Sequence, residues 1–113
     1  MNFIKKFFRR SKIIPIVRLD GVIGSSGQFS SGLEDSSLAP VLKKAFGMSK
    51  AQAVALIINS PGGSPAQSSL IASRIRRLAQ EKKLPVFAFC EDVAASGGYW
   101  LACAADEIFA DEN

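Results

Sequence analysis

Apolar residues recur at two periods along this chain, and the switching between them reads as a succession of strands and helices. Residues 13–19 form a β-branched run with Pro15 near its start, which suits a strand whose first part lies at a sheet edge. Asp20-Gly21 turns the chain, and Val22-Ile23 either continues that strand or pairs with it. Residues 24–32 are mostly Gly, Ser and Gln around Phe29 and predict a mobile surface loop. Leu38, Val41, Leu42, Ala45 and Phe46 follow helical spacing, with Ser36 or Ser37 as cap and Gly47 as the end. Residues 53–58 are a compact apolar run, the pattern of a strand buried on both faces.

The next helix announces its start. Ser64 is followed by Pro65 at the first helical position and by Gln67 three residues after the cap, a capping box with its proline. Leu70, Ile71, Ile75 and Leu78 make its inward stripe, Arg74, Arg76 and Arg77 its solvated face, and Lys82 and Lys83 complement its C-terminal dipole before Pro85. Residues 86–90 predict a further buried strand, 97–105 a small-residue helix and 108–110 the start of a last strand. This order implies an α/β fold of parallel βαβ units with right-handed crossovers.

Composition narrows the class. A chain of 113 residues, 48% hydrophobic and 21% charged, suits one small globular domain. The net charge of +4 comes from Lys5, Lys6, Arg9, Arg10 and Lys12; without them nine Lys/Arg face ten Asp/Glu, a balance of −1. The globular part, residues 13–113, is therefore no nucleic-acid surface, and only a basic tail, residues 1–12, needs explaining. That tail interleaves Phe3, Ile4, Phe7 and Phe8 with its cations. It is read either as an amphipathic segment in peripheral contact with an anionic membrane or as a frayed solvated terminus. The uncharged run 13–17 is too short for a signal peptide, and no stretch approaches the ~20 apolar residues of a membrane span. The expected location is the cytoplasm, with the inner face of the membrane as its alternative. Cys90 and Cys103, both among apolar neighbours, are expected to be buried free thiols, and no zinc spacing exists.

Two Gly-Gly motifs carry the candidate chemistry. Pro61-Gly62-Gly63 follows the strand ending near Ile58, and Ser96-Gly97-Gly98 follows the strand ending near Cys90. In a parallel α/β sheet, both therefore fall at the carboxyl ends of strands, where sites form. If those strands are neighbours, the backbone N–H groups of Gly63 and Gly97 can point into one cavity and serve as an oxyanion hole. Ala94-Ala95-Ser96-Gly97-Gly98 also echoes a nucleophile elbow with alanine in place of its first glycine, although a tight strand-to-helix turn needs the same small residues. A serine nucleophile requires a base, and the chain has no histidine. The base is then a lysine, comes from elsewhere, or does not exist.

Ile57-Ile58-Asn59-Ser60-Pro61-Gly62-Gly63-Ser64, with Asp92-Val93-Ala94-Ala95-Ser96-Gly97-Gly98-Tyr99-Trp100-Leu101-Ala102 and Ala104-Ala105-Asp106-Glu107-Ile108, closely resembles the SppA family. These are serine peptidases of the signal peptide peptidase A and protease IV type. The resemblance runs from about Ile16 to the last residue, with the motifs about thirty residues apart as in that family. It implies the N-terminal part of a ClpP/crotonase-like spiral of parallel βαβ units, incomplete here. It further implies a Ser/Lys dyad with Ser96 as nucleophile, Gly63 and Gly97 as oxyanion donors, and Gly62 and Gly98 as supporting turn residues. The family's lysine lies well downstream of its serine, beyond Asn113. Implied substrates are signal peptides or other apolar peptides, implied partners are further copies in a homo-oligomeric ring, and no metal or nucleotide cofactor is required.

None of the lysines present looks like a substitute base. Such a lysine must be neutral, hence buried or beside another cation, whereas Lys43, Lys44, Lys50, Lys82 and Lys83 fall on helix faces or ends among polar residues. Asp92 is expected to cap or position the serine loop, Asp106 to end the helix or begin the turn into the last strand, and Tyr99 and Trp100 to pack. Two other functions remain open on the sequence: an inactive truncated fragment or interaction module, and a crotonase-like acyl-CoA enzyme using the same paired N–H groups.

Overall fold

The computed structural model describes residues 11–24 and 32–110. The basic tail up to residue 10 and most of the predicted loop 24–32 lie outside the described residues. Four strands, β1 (Ile16–Asp20), β2 (Val54–Ser60), β3 (Val86–Ala94) and β4 (Glu107–Ala110), form one parallel sheet in the order β1-β2-β3-β4. Helices α1 (Asp35–Phe46), α2 (Pro65–Lys82) and α3 (Gly97–Ala102) make the successive connections. This is the expected βαβ succession.

Strand alternation decides which side chains meet the helices. Val17 and Leu19 of β1, Val54, Leu56 and Ile58 of β2, and Val86 and Ala88 of β3 are buried in one cluster. Leu38, Leu42, Ala45 and Phe46 of α1, Ile71, Ile75 and Ala79 of α2, and Leu101 and Ala102 of α3 close it. The opposite face carries Ile16, Arg18, Asp20, Ile57, Phe87, Phe89, Glu91 and Phe109. Of these, Phe89 and Phe109 stack with ring centroids 5.1 Å apart. Strand β3 was expected to be buried throughout, but only its helix side is: Phe89 is 42% exposed.

Several local expectations are corrected. Val41 and Leu70 are exposed, because each sits on the rim of its helix's apolar stripe. The cap of α1 is Glu34, and the hydroxyl of Ser37 donates to its carbonyl at 3.0 Å. Ser64 caps α2 as predicted, its Oγ accepting from the Gln67 N–H at 3.1 Å. The Gln67 side chain does not close the box: its Oε1 accepts from the Asp35 N–H at 2.8 Å and so caps α1 instead. Arg74 and Arg76 are not merely solvated. Arg74 grips Asp35 with two bonds of 2.7 and 2.9 Å, and Arg76 Nη1 donates to the Ala104 carbonyl at 3.0 Å. Helix α3 stops at Ala102, three residues short of the predicted end. Cys90 and Cys103 are free as expected, but Cys90 is only half-buried and Cys103 is exposed.

Val22-Ile23 pairs, but not with β1 as expected. Past the Gly21 break, Ile23 bridges both Leu33 and Gly63 and is buried. The same residue also anchors the first Gly-Gly turn.

Candidate active site

The β2 and β3 strands are adjacent and parallel, so the segments that leave their carboxyl ends emerge side by side. Pairing runs regularly from Val54↔Val86 to Ile58↔Cys90 and then shifts, so that Ser60 lies opposite Ala94. This irregularity gives β3 two more residues than β2 over the interval. It carries the end of β3 over Ser60, where the Ala95 N–H donates to the Ser60 carbonyl at 3.3 Å.

The first turn is clamped by Ile23. Its N–H donates to the Gly62 carbonyl at 2.9 Å, and its carbonyl accepts from the Ser64 N–H at 2.8 Å. A trans peptide is planar, with its N–H antiparallel to the preceding C=O. Because the Gly62 carbonyl points at Ile23, the Gly63 N–H points away from it, toward the β3 side. Only glycine fits here: φ at Gly63 is +149°, and a Cβ would stand 2.1 Å from the Ile23 carbonyl oxygen.

The second turn holds Ser96 at φ 49° and ψ −115°, a positive-φ backbone that residues with a side chain rarely adopt. The Ser96 carbonyl accepts from the Trp100 N–H at 3.0 Å, so the Gly97 N–H points the opposite way, out of the helix toward the first turn. A Cβ on Gly62 would sit 2.9 Å from the Gly97 nitrogen and 3.0 Å from the Ser96 Cβ, so the two turns are in contact. Among the described residues, neither the Gly63 nor the Gly97 N–H donates a hydrogen bond. The Ser96 hydroxyl, on an exposed residue, likewise has no partner among them. Gly98 packs on Ser60, with its N–H donating to the Ala95 carbonyl at 2.8 Å.

The structure thus brings Ser96, Gly97, Gly62 and Gly63 together, with Gly98 one residue behind. It does not bring Asp92 to them. Asp92 is exposed within β3, and its side chain has no hydrogen bond among the described residues, because the strand runs on to Ala94. Asp106 does begin the turn into the last strand: its Oδ2 accepts from the Val86 N–H at 2.7 Å, and its N–H donates to the Val86 carbonyl at 2.8 Å. Tyr99 and Trp100, expected to pack, are exposed, since α3 buries Leu101 and Ala102 instead. The neighbouring Cys103 thiol raises the Tyr99 phenol above its ordinary pKa, and burial raises the Cys90 thiol. Every described lysine is exposed, as expected.

Sequence reasoning assigned no role to Ile23, Ser60 or Ser68. Ser60 and Ser68 are fully buried. The Ser68 hydroxyl donates to the Ser64 carbonyl at 2.8 Å and lies 2.5 Å from where a Gly97 Cβ would be. The signal that could have found them is a small polar residue at the inward position of an otherwise apolar run.

A parallel sheet with a strained serine turn beside a glycine turn, both at its carboxyl end, defines an α/β protein with a serine elbow. Two solved structures share the fold. A membrane-bound stomatin-specific protease superposes with TM-score 0.65 at 22% identity over 88% of this chain and 44% of its own. ClpP1 from Listeria monocytogenes does so with TM-score 0.62 at 19% identity over 91% and 52%. Residues 78–113 match peptidase family S49. Protease 4 of Haemophilus influenzae is 38% identical over 88% of this chain and 16% of its own length. The chloroplastic serine protease SPPA of Arabidopsis thaliana is 36% identical over 85% and 13%. The Na(+)/H(+) antiporter NhaA of Brucella melitensis is 56% identical over 88% of this chain and 14% of its own length. Over most of its length the chain is similar to serine peptidases of the SppA type, and its last third matches peptidase family S49. It spans 13–16% of the length of these curated relatives.

Proposed function

We propose that this chain carries the nucleophile and the oxyanion donors of an S49 serine peptidase. The observation that supports this most is the strained, positive-φ backbone of Ser96, an exposed residue whose hydroxyl stands beside two N–H groups that donate to nothing among the described residues. In the reaction, Ser96 Oγ forms a bond to the carbonyl carbon of a peptide while its proton passes to a neutral lysine amine outside these residues. The carbonyl oxygen becomes an oxyanion held by the Gly63 and Gly97 N–H groups. Collapse breaks the C–N bond, the lysine returns the proton to the leaving amine, and water hydrolyses the resulting ester. The substrates proposed are signal peptides or other apolar peptides. Similarity to SppA-type peptidases also motivates a homo-oligomer, and the interleaved apolar and basic residues of the tail motivate contact with the anionic inner face of a membrane.

The rival readings fit less well. Enolate chemistry on an acyl-CoA would use the paired N–H groups but gives the strained serine no task. Ion transport is not proposed, because the shared segment is 14% of the antiporter and no described helix is long and apolar enough to cross a membrane. The test is labelling by a fluorophosphonate of the protein isolated from its own cells, with its intact mass set against 12.1 kDa. A single adduct at Ser96 is expected, lost together with peptide hydrolysis in Ser96→Ala. Hydrolysis that survives Ser96→Ala overturns the reading.

A further inference from the structure

We infer that Ser60 is a positioning residue that sets both turns of the candidate site at once; this rests on Ser96 being the nucleophile. Ser60 is the last residue of β2 and is fully buried. A hydroxyl removed from water is unfavourable unless it is bonded, and an alanine would fill this inward position without that penalty. What the serine adds is an acceptor for one particular group: its Oγ takes the Gly62 N–H at 3.1 Å, two residues on.

That bond fixes the peptide plane entering Gly62. The Ile23 N–H fixes the plane leaving it by holding the Gly62 carbonyl at 2.9 Å. With both planes held, the Gly63 N–H has one direction left. The backbone of Ser60 acts on the other turn: its carbonyl accepts from the Ala95 N–H at 3.3 Å, immediately before Ser96. Its carbonyl oxygen would lie 2.5 Å from a Cβ on Gly98, so the start of α3 rests on it as well. One buried residue therefore sets the spacing between the nucleophile turn and the glycine turn. Donors aimed at an oxyanion act only in the transition state, so their misplacement lowers kcat and leaves KM nearly untouched.

The test joins hydrogen exchange to kinetics on the protein as its cells make it. In the unaltered protein, the Gly62 amide is expected to be protected. In Ser60→Ala it exchanges at least about tenfold faster while β2 and β3 amides keep their protection, and kcat falls about tenfold or more with KM within about twofold. The inference is overturned if the Gly62 amide of the unaltered protein exchanges like an open loop. This readout stands even if Ser60→Ala fails to fold. It is also overturned if Ser60→Ala keeps its kcat while Ser96→Ala loses all turnover. Turnover that survives Ser96→Ala instead removes the nucleophile assignment, and Gly62 exchange still decides whether Ser60 holds the turn.

Discussion

Ser96 and Lys83 are the two non-glycine residues with positive φ among those described, and they differ in kind. Lys83, at φ 55° and ψ 45°, occupies the ordinary left-handed well that ends a helix. Ser96, at ψ −115°, lies outside it, in backbone geometry that stores on the order of 1–3 kcal/mol. Glycine relieves that strain, offset by the about 0.5–1 kcal/mol of extra freedom it loses on folding. Ser96→Gly is therefore expected to be about 1 kcal/mol more stable than Ser96→Ala in urea unfolding. Both variants lack the hydroxyl, so the difference reports the backbone alone, and equal stabilities would remove the claim of strain. The small residues around Ser96 were legible as an elbow because the turn needs them. Ser60 was not, because its burial depends on β2 running two residues past the predicted end at Ile58.

At the level of elements, α1 and α2 are joined by a pair that periodicity alone does not reveal. Arg74 and Arg77 sit on the outward side of α2, where spacing reads them as solvated. The partner of Arg74 arrives from the first turn of α1, 39 residues earlier in the chain. The bidentate bond from Arg74 holds the Asp35 carboxyl below its ordinary value near 3.8, with the Arg77 charge adding to the effect. A carboxylate with a lowered folded pKa contributes stability that is present above the ordinary value and lost as pH falls through the lowered one. The melting temperature of the parent is therefore expected to exceed that of Asp35→Asn at neutral pH, with the gap closing in acid below the ordinary carboxylate range. A gap that stays constant from about pH 6 to about pH 2 would show that the pair does not contribute in this way. The helices and strands themselves were legible from apolar spacing. Their ends shifted where a tertiary bond took over: Gln67 capping a different helix, and Asp106 tying the entry to β4 onto Val86.

At the scale of the whole molecule, the four-stranded sheet has helices on one side only among the described residues, whereas parallel sheets are ordinarily covered on both. Its open face presents Ile16, Phe89 and Phe109, and Phe87 lies against Phe109 with ring centroids 6.4 Å apart. Arg18 bridges Asp20 and Glu91 on the same face and gives it one charged border. The apolar run 53–58 reads as a strand buried on both faces, and the same pattern serves a sheet covered on one side. Phe87 and Phe89 fit either reading, and only the packing of the helices shows which side they miss. An apolar surface of this kind on a four-stranded sheet drives association. In light scattering, the apparent mass of the 113-residue chain is expected to rise with concentration. Replacing Phe89 and Phe109 together by lysine should hold it at the monomer value. Since both rings are already 42% and 46% exposed, the double variant should unfold within a few degrees of the parent. A parent that stays monomeric at every concentration would show that the open face is not a contact surface. Association that persists in the double variant would move the contact to an outer strand of the sheet, β1 or β4, where edge backbone groups offer the other route to a second copy.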